Sequence, residues 1–201
     1  MNKISIEQNT TFNVEQDLLL VLEKDASLVF NIDKEGQFNI YIYNINHSLN
    51  INVSISTEAI CNLYYSNINY DNNNYKIEVN HLSSNSEVNL YNHGVNVNDK
   101  KLVYNVSSKV GKDTIKCITN QDNRIINIKN GKSIIYPILL IDNYDVSSSH
   151  SAYIGKFSDD IIFYLQSRGL SLEKAYELLL KGFLVYNEEE IDEFLLELSK
   201  I

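Results

Sequence analysis

LNINVSIS, residues 49–56, alternates without a break: Leu49, Ile51, Val53 and Ile55 are apolar, and Asn50, Asn52, Ser54 and Ser56 are polar. A pleated strand turns successive side chains to opposite faces, so this octapeptide reads as a strand with one dry face and one wet face. YKIEVN (75–80) and VNLYN (88–92) repeat the pattern. Further strand-like runs lie at 27–32, 38–45, 59–70, 101–107, 113–119, 124–129 and 133–142. Residues 17 to about 146 are therefore a succession of short strands, spaced as in a sandwich, a barrel or a solenoid.

Turn chemistry bears on the choice. A meander of tight hairpins calls for repeated Asn-Gly, Asp-Gly or Gly-X pairs. The chain has seven glycines and one proline. Asn130-Gly131 is its one convincing hairpin signal. Gradual corners of a parallel β-helix make fewer such demands, but no fixed repeat period is visible. Pattern alone leaves the β-helix only slightly ahead of a β-sandwich.

From Ser158 onward the pattern becomes helical. Ser158 is placed to cap a helix carrying Asp159 and Asp160 in its first turn, where the macrodipole favours anions, and Gly169 is placed to end it. A second helix starts from Ser171, with Leu172, Ala175, Leu179 and Phe183 on one apolar stripe. A third starts from Asn187 with Glu190 three positions into it, like a capping box, and buries Ile191, Phe194, Leu195 and Leu198. Residues 1–157 are thus expected to form a β-core and residues 158–201 a small helical docking domain.

A formal charge of −9 argues against nucleic acid and anionic membranes as partners. The first residues lack the apolar core of a signal peptide, and no run is long enough to span a bilayer, so a cytoplasmic protein is expected. Cys61 and Cys117 are too few for a disulfide framework, and their strand parity puts both on core faces. Of 28 asparagines, 27 precede residue 150. The plain reading is a compositional preference at exposed polar positions; ladders of stacked asparagine amides are the alternative.

Among residues that could carry chemistry, His150 stands where the strands give way to helices, and it is a candidate metal ligand or proton carrier. His47, His81 and His93 fall in no metal-binding spacing and are expected at solvent-facing strand ends. Cys117 is a minor candidate as a soft-metal ligand. No phosphate-binding loop, dinucleotide fingerprint or nucleophile elbow is present. Gly182 lies inside a helical stripe, where glycine costs about 1 kcal/mol relative to alanine, and close approach of another backbone is the usual reason.

Residues 137–183 resemble the C-terminal core of the SufB/SufD proteins of iron–sulfur cluster assembly. The matching positions are Pro137, Leu139, Ile141, Asp145, Val146, Ser149, His150, Ala152, Gly155, Phe163, Tyr164, Leu165, Ser167, Arg168, Gly169, Ala175, Gly182 and Phe183. The resemblance implies a mainly β chain, a right-handed parallel β-helix followed by a small C-terminal α-helical domain. It implies a non-catalytic scaffold of SufD type that pairs through its β-core with a SufB/SufD-like subunit or with itself. A SufC-like ABC ATPase would dock on the helices through Phe163, Tyr164, Arg168, Gly169, Gly182 and Phe183. A cysteine desulfurase is a further implied partner. No intrinsic cofactor is expected; a transient iron–sulfur cluster would form at the subunit interface near His150. Ser148 stands where the family has cysteine, and Ser151 where it has glycine. A solenoid that has lost cluster chemistry is the alternative, and a carbohydrate-active enzyme would require a cluster of acids on one open sheet.

Overall fold

The structure is a computed structural model describing residues 1–201. It has thirteen strands, β1 (Lys3–Ile6), β2 (Thr10–Asn13), β3 (Leu18–Leu22), β4 (Ala26–Ile32), β5 (Gly36–Ile45), β6 (Leu49–Ile55), β7 (Ala59–Asn69), β8 (Asn73–His81), β9 (Glu87–Asn96), β10 (Lys101–Val110), β11 (Cys117–Asn127), β12 (Lys132–Ile141) and β13 (Val146–Gly155). Three helices follow: α1 (Asp159–Ser167), α2 (Leu172–Leu184) and α3 (Asp192–Leu198). No helix is long and apolar enough to cross a membrane.

Odd-numbered strands form one sheet in chain order and even-numbered strands form another. Every pairing is parallel. The chain therefore visits the two sheets alternately and advances one strand in each per circuit, which is a β-solenoid and not a sandwich. Asn130-Gly131 accordingly turns a corner between β11 and β12, strands of different sheets, and closes no hairpin.

The circuits lengthen along the chain as far as β11, and the last, from Cys117 to Val146, is 29 residues. Lys3 pairs with Leu19, 16 residues on. Leu18 pairs with Ile40, 22 on, and Ile60 with Glu87, 27 on. Glu87 pairs with Ile118, 31 on. A period that drifts in this way leaves no repeat in the sequence.

Inward rows fill the coil. Leu28, Ile51 and Ile77 stack on the even sheet and Leu18, Ile40 and Leu63 on the odd one, all buried in one cluster. Each such side chain stabilises the fold by roughly 1.5–3 kcal/mol. Cys61 and Cys117 are wholly buried on these inward faces, as their parity implied.

Outward rows hold asparagine ladders, contrary to the plain compositional reading. Asn39, Asn62, Asn89 and Asn120 fall in register on successive strands. Each donates its Nδ2 to the Oδ1 of the previous rung, at 3.0, 2.9 and 2.9 Å from Asn62 onward. Beside them Tyr41, Tyr64 and Tyr91 stack with 4.9 Å between ring centroids, the spacing of neighbouring strands. In-register pairing of identical residues makes such ladders, and composition alone cannot show it.

A second apolar cluster lies outside the odd sheet. Val21, Ile68, Val95 and Ile126 of the sheet pack against Leu180, Leu184, Phe194 and Leu198 of the helices. Ser66 Oγ donates to the Leu184 carbonyl at 2.5 Å, and Tyr43 OH donates to the Asn187 carbonyl at 2.7 Å. The helical segment is thereby bolted to the wall of the solenoid.

Ser158 and Ser171 cap α1 and α2 as expected, accepting from Ile161 N and Lys174 N. The capping box at Asn187 does not form. Asn187 is held by Tyr43, and its Oδ1 accepts from Glu189 N in a short turn. The third helix begins at Asp192 instead, with no side-chain cap. The buried stripe of α2 is Ala175, Leu180 and Leu184, whereas Leu172 is 46% exposed.

Candidate functional site

The site lies at the open end of the solenoid, where β12 and β13 are the last strands of their sheets and each has one neighbour only. An unpaired strand edge presents a row of free backbone N–H and C=O groups and is a template for another strand. Pro137, which has no N–H, is tolerated on such an edge. Tyr136, Ile138 and Leu140 of β12 point outward and are exposed, an apolar stripe beside the edge.

His150 is not at a strand-to-loop junction as the sequence indicated but in the middle of β13. The run from Ser147 to Ser151 lacks alternation because a terminal strand has no covering layer to demand it. Register makes the inward positions clear: Ser148 continues the row of Phe38, Cys61, Val88 and Thr119, and His150 continues Leu63, Leu90 and Gln121. Both are exposed only because no further coil covers them. In the coil behind them, Thr119 Oγ1 and Gln121 Oε1 are buried without a hydrogen-bond partner. The lumen thus turns from aliphatic to polar as it approaches His150.

No three His, Cys, Asp or Glu side chains come together in a way that could hold a metal ion. His150 can offer one imidazole nitrogen at the open end. Cys117, the other metal candidate, is sealed at the start of β11 against Ser86 Oγ and the Ser83 carbonyl. Burial drives the Cys61 thiol up to about 12, so it is held as the protonated thiol.

His81 and His93, expected in solvent, are both buried, at 3% and 9% exposure. His81 ends an inward row, with Nδ1 2.8 Å from Ser86 Oγ. His93 lies outward beneath the chain that leaves α2. Its Nδ1 is 3.0 Å from the Phe183 carbonyl and 2.6 Å from Tyr186 OH, and Nε2 is 3.4 Å from Asp122 Oδ2. Burial lowers the His93 pKa, with the Phe183 carbonyl and Asp122 opposing. For Asp122, burial acts upward, but hydrogen bonds from Arg124 and Ser151 prevail and hold the carboxyl below its ordinary value. Ser151 Oγ donates to Asp122 Oδ1 at 2.6 Å, so this network runs from the edge strand to the helices. Single histidines in unremarkable spacing gave no sign of it.

The docking candidates divide between two surroundings. Phe163 is 72% and Tyr164 54% exposed on α1, whose only buried residue is Ile162. Arg168 lies over the Tyr164 ring, 5.2 Å from its centroid. Gly169 has φ +92°, which ends α1 where few other residues fit. Beyond its two neighbours and the backbone of its own helix, a Cβ on Gly182 would meet no atom within 4 Å, so no other backbone of the chain explains that glycine. Phe183, by contrast, turns inward and stacks on His93.

Residues 30–183 match the family model described as SUF system FeS cluster assembly, SufBD core domain. The chain belongs to the SufBD core family. It is 31% identical over 122 residues to the iron–sulfur cluster assembly protein SufD of Bacillus subtilis, covering 59% of this chain and 28% of that protein. It is 45% identical over 69 residues to a SufBD family protein of Pyrococcus horikoshii, covering 33% of this chain and 15% of the relative. A SufBD family protein of Porphyra purpurea is 25% identical over 124 residues, covering 60% of this chain and 25% of its own length. The chain therefore spans less than a third of each of these SufBD relatives. The parallel solenoid followed by short helices is the fold that the resemblance of residues 137–183 implied.

Proposed function

We propose that this chain is a non-catalytic scaffold subunit of iron–sulfur cluster assembly, pairing its open end with a second SufB/SufD-like core subunit. The observation that carries this is the juxtaposition at that end: two unpaired strand edges, β12 and β13, flank the inward-facing His150 and Ser148. Pairing of the edges would enclose His150 between this chain's polar lumen and the partner. A transient cluster assembled there draws its thiolates from the partner, since a serine hydroxyl is a poor ligand for iron beside a thiolate. His150 then contributes a nitrogen ligand or carries a proton. Sulfur would be delivered by a cysteine desulfurase.

A SufC-like ATPase would dock on α1 and the exposed side of α2. Phe163 and Tyr164 supply an apolar contact, Arg168 a charge, and the open space at Gly182 room for close approach. Anaerobic reconstitution of the co-purified core pair with iron and sulfide, followed by absorption spectroscopy, tests the site. Cluster absorption should fall sharply with His150→Ala; an unchanged spectrum removes His150 from it. Co-purification of the ATPase should be lost with Arg168→Glu or Phe163→Ala, and an intact complex with both variants refutes that docking surface.

Ser148 favours a second reading, a structural subunit that has lost cluster chemistry. Under it the core pair still forms, no cluster absorption arises, and Ser148→Cys restores it.

A further inference from the structure

We propose that the outward row of β13 selects a partner strand whose facing side chains donate hydrogen bonds, amides or hydroxyls opposite Ser149 and Ser151. The inference rests on the reading of β13 as a pairing edge and adds the chemistry of what it pairs with.

The ordering begins five strands away, beside β3. A carboxylate only accepts hydrogen bonds, whereas an asparagine amide donates at one end and accepts at the other. Asp17 heads the ladder and takes both the N–H of Asn39, at 2.8 Å, and its Nδ2, at 3.0 Å. That turns Asn39 Oδ1 toward Asn62, whose Nδ2 must then donate, and the same orientation passes to Asn89 and Asn120. Glu87, a second carboxylate, takes a further bond from Asn89 Nδ2 at 2.8 Å and holds the middle rung the same way round. Ser149 Oγ ends the chain, donating its one proton to Asn120 Oδ1 at 2.6 Å.

One rung along, the same outcome has an independent cause. Asp122 accepts from Arg124 Nε at 2.8 Å and from Ser151 Oγ at 2.6 Å. Both edge hydroxyls therefore have their protons committed inward and only lone pairs left for an incoming strand. The free backbone of β13 offers donors and acceptors alike, so it sets no preference. The side chains do. A second copy related by a two-fold centred on His150 would place its own Ser149 and Ser151, already committed as donors to β11, against these lone pairs. Occupancy by a different chain, with donors in the facing row, satisfies all four groups.

Hydrogen exchange at the β13 amides reads the outcome. Two uncharged strand peptides are used, one with asparagine and one with leucine at the facing positions. The asparagine peptide should protect β13 with about tenfold higher affinity, the worth of two modest hydrogen bonds. In the Ser149→Ala/Ser151→Ala protein that preference should vanish while both peptides still bind. Equal protection by the two peptides on the wild-type chain overturns the polarity and leaves edge pairing standing. Protection by neither overturns edge pairing itself. β13 protection that rises with concentration of this chain alone means the edge accepts its own copy, which also overturns the proposal.

Discussion

The His93 ring lies flat on the Phe183 ring, with centroids 4.7 Å apart and planes 5° from parallel. This contact joins β9 to the end of α2, and the Phe183 carbonyl bonds the same imidazole. Phe183→Ala should therefore loosen the helices from the wall of the solenoid, at a cost of roughly 2 kcal/mol for a half-buried ring. Limited proteolysis should cut between residues 156 and 190 before it cuts the strands, and urea denaturation should give the stability loss.

The ladder has a direction, so its variants are not equivalent. Asn62→Ala removes one donor to Asn39 and one acceptor for Asn89, and should cost about 1–3 kcal/mol. Asn62→Asp keeps the shape but sets a carboxylate against Asn39 Oδ1, acceptor to acceptor. It should be the worse of the two at neutral pH and should approach the asparagine protein as the introduced carboxyl is protonated in acid. Thermal melts across pH distinguish the pair.

Burial drives the His81 pKa from the usual 6.5 down to about 4 and lowers that of His93 as well. His81 therefore stays neutral in the fold down to about pH 4, and both histidines take up a proton more readily in the unfolded chain, below about pH 6.5. The unfolded state thus binds more protons as the pH falls, and stability present above pH 6.5 is lost on the way to pH 4. His81 alone accounts for a loss on the order of 3 kcal/mol across that interval. His81→Gln should flatten the pH dependence of urea midpoints there, even where it lowers them throughout.

Gly182 gives a test with opposite signs. Open space surrounds its Cα on the side where a Cβ would stand, so Gly182→Ala should stabilise the isolated chain by about 0.5–1 kcal/mol through helix propensity. If the ATPase backbone comes close at this point, the same methyl should weaken its binding. Melting temperature and calorimetric affinity should move in opposite directions; alanine tolerated in both measurements removes Gly182 from the docking surface.

The sequence was most readable where a residue's own neighbours decide its environment. β6 alternates strictly because one of its faces packs inside the coil and the other does not. Ser158 and Ser171 could be read as caps because a cap acts within three residues. Asn187 misled for the same reason: locally it is a good cap, but Tyr43, 144 positions away, holds it elsewhere. His93 and Asp122 had no local signature, since their meeting depends on strand register and on where α2 returns. β13 was hidden because exposed on both faces it has no pattern to show, although the resemblance of its residues to SufB/SufD sequences marked His150.

The drift in circuit length has a consequence for assembly. Strand β1 spans four residues and β13 ten, so the strands of the coil are unequal templates. A partner strand as short as β1 would leave more than half of β13 without a partner. Equal, complementary ends would let such a coil polymerise without limit, the standing hazard of open sheet edges. The length of β13 thus selects long partner strands through geometry alone, whatever residues line its edge.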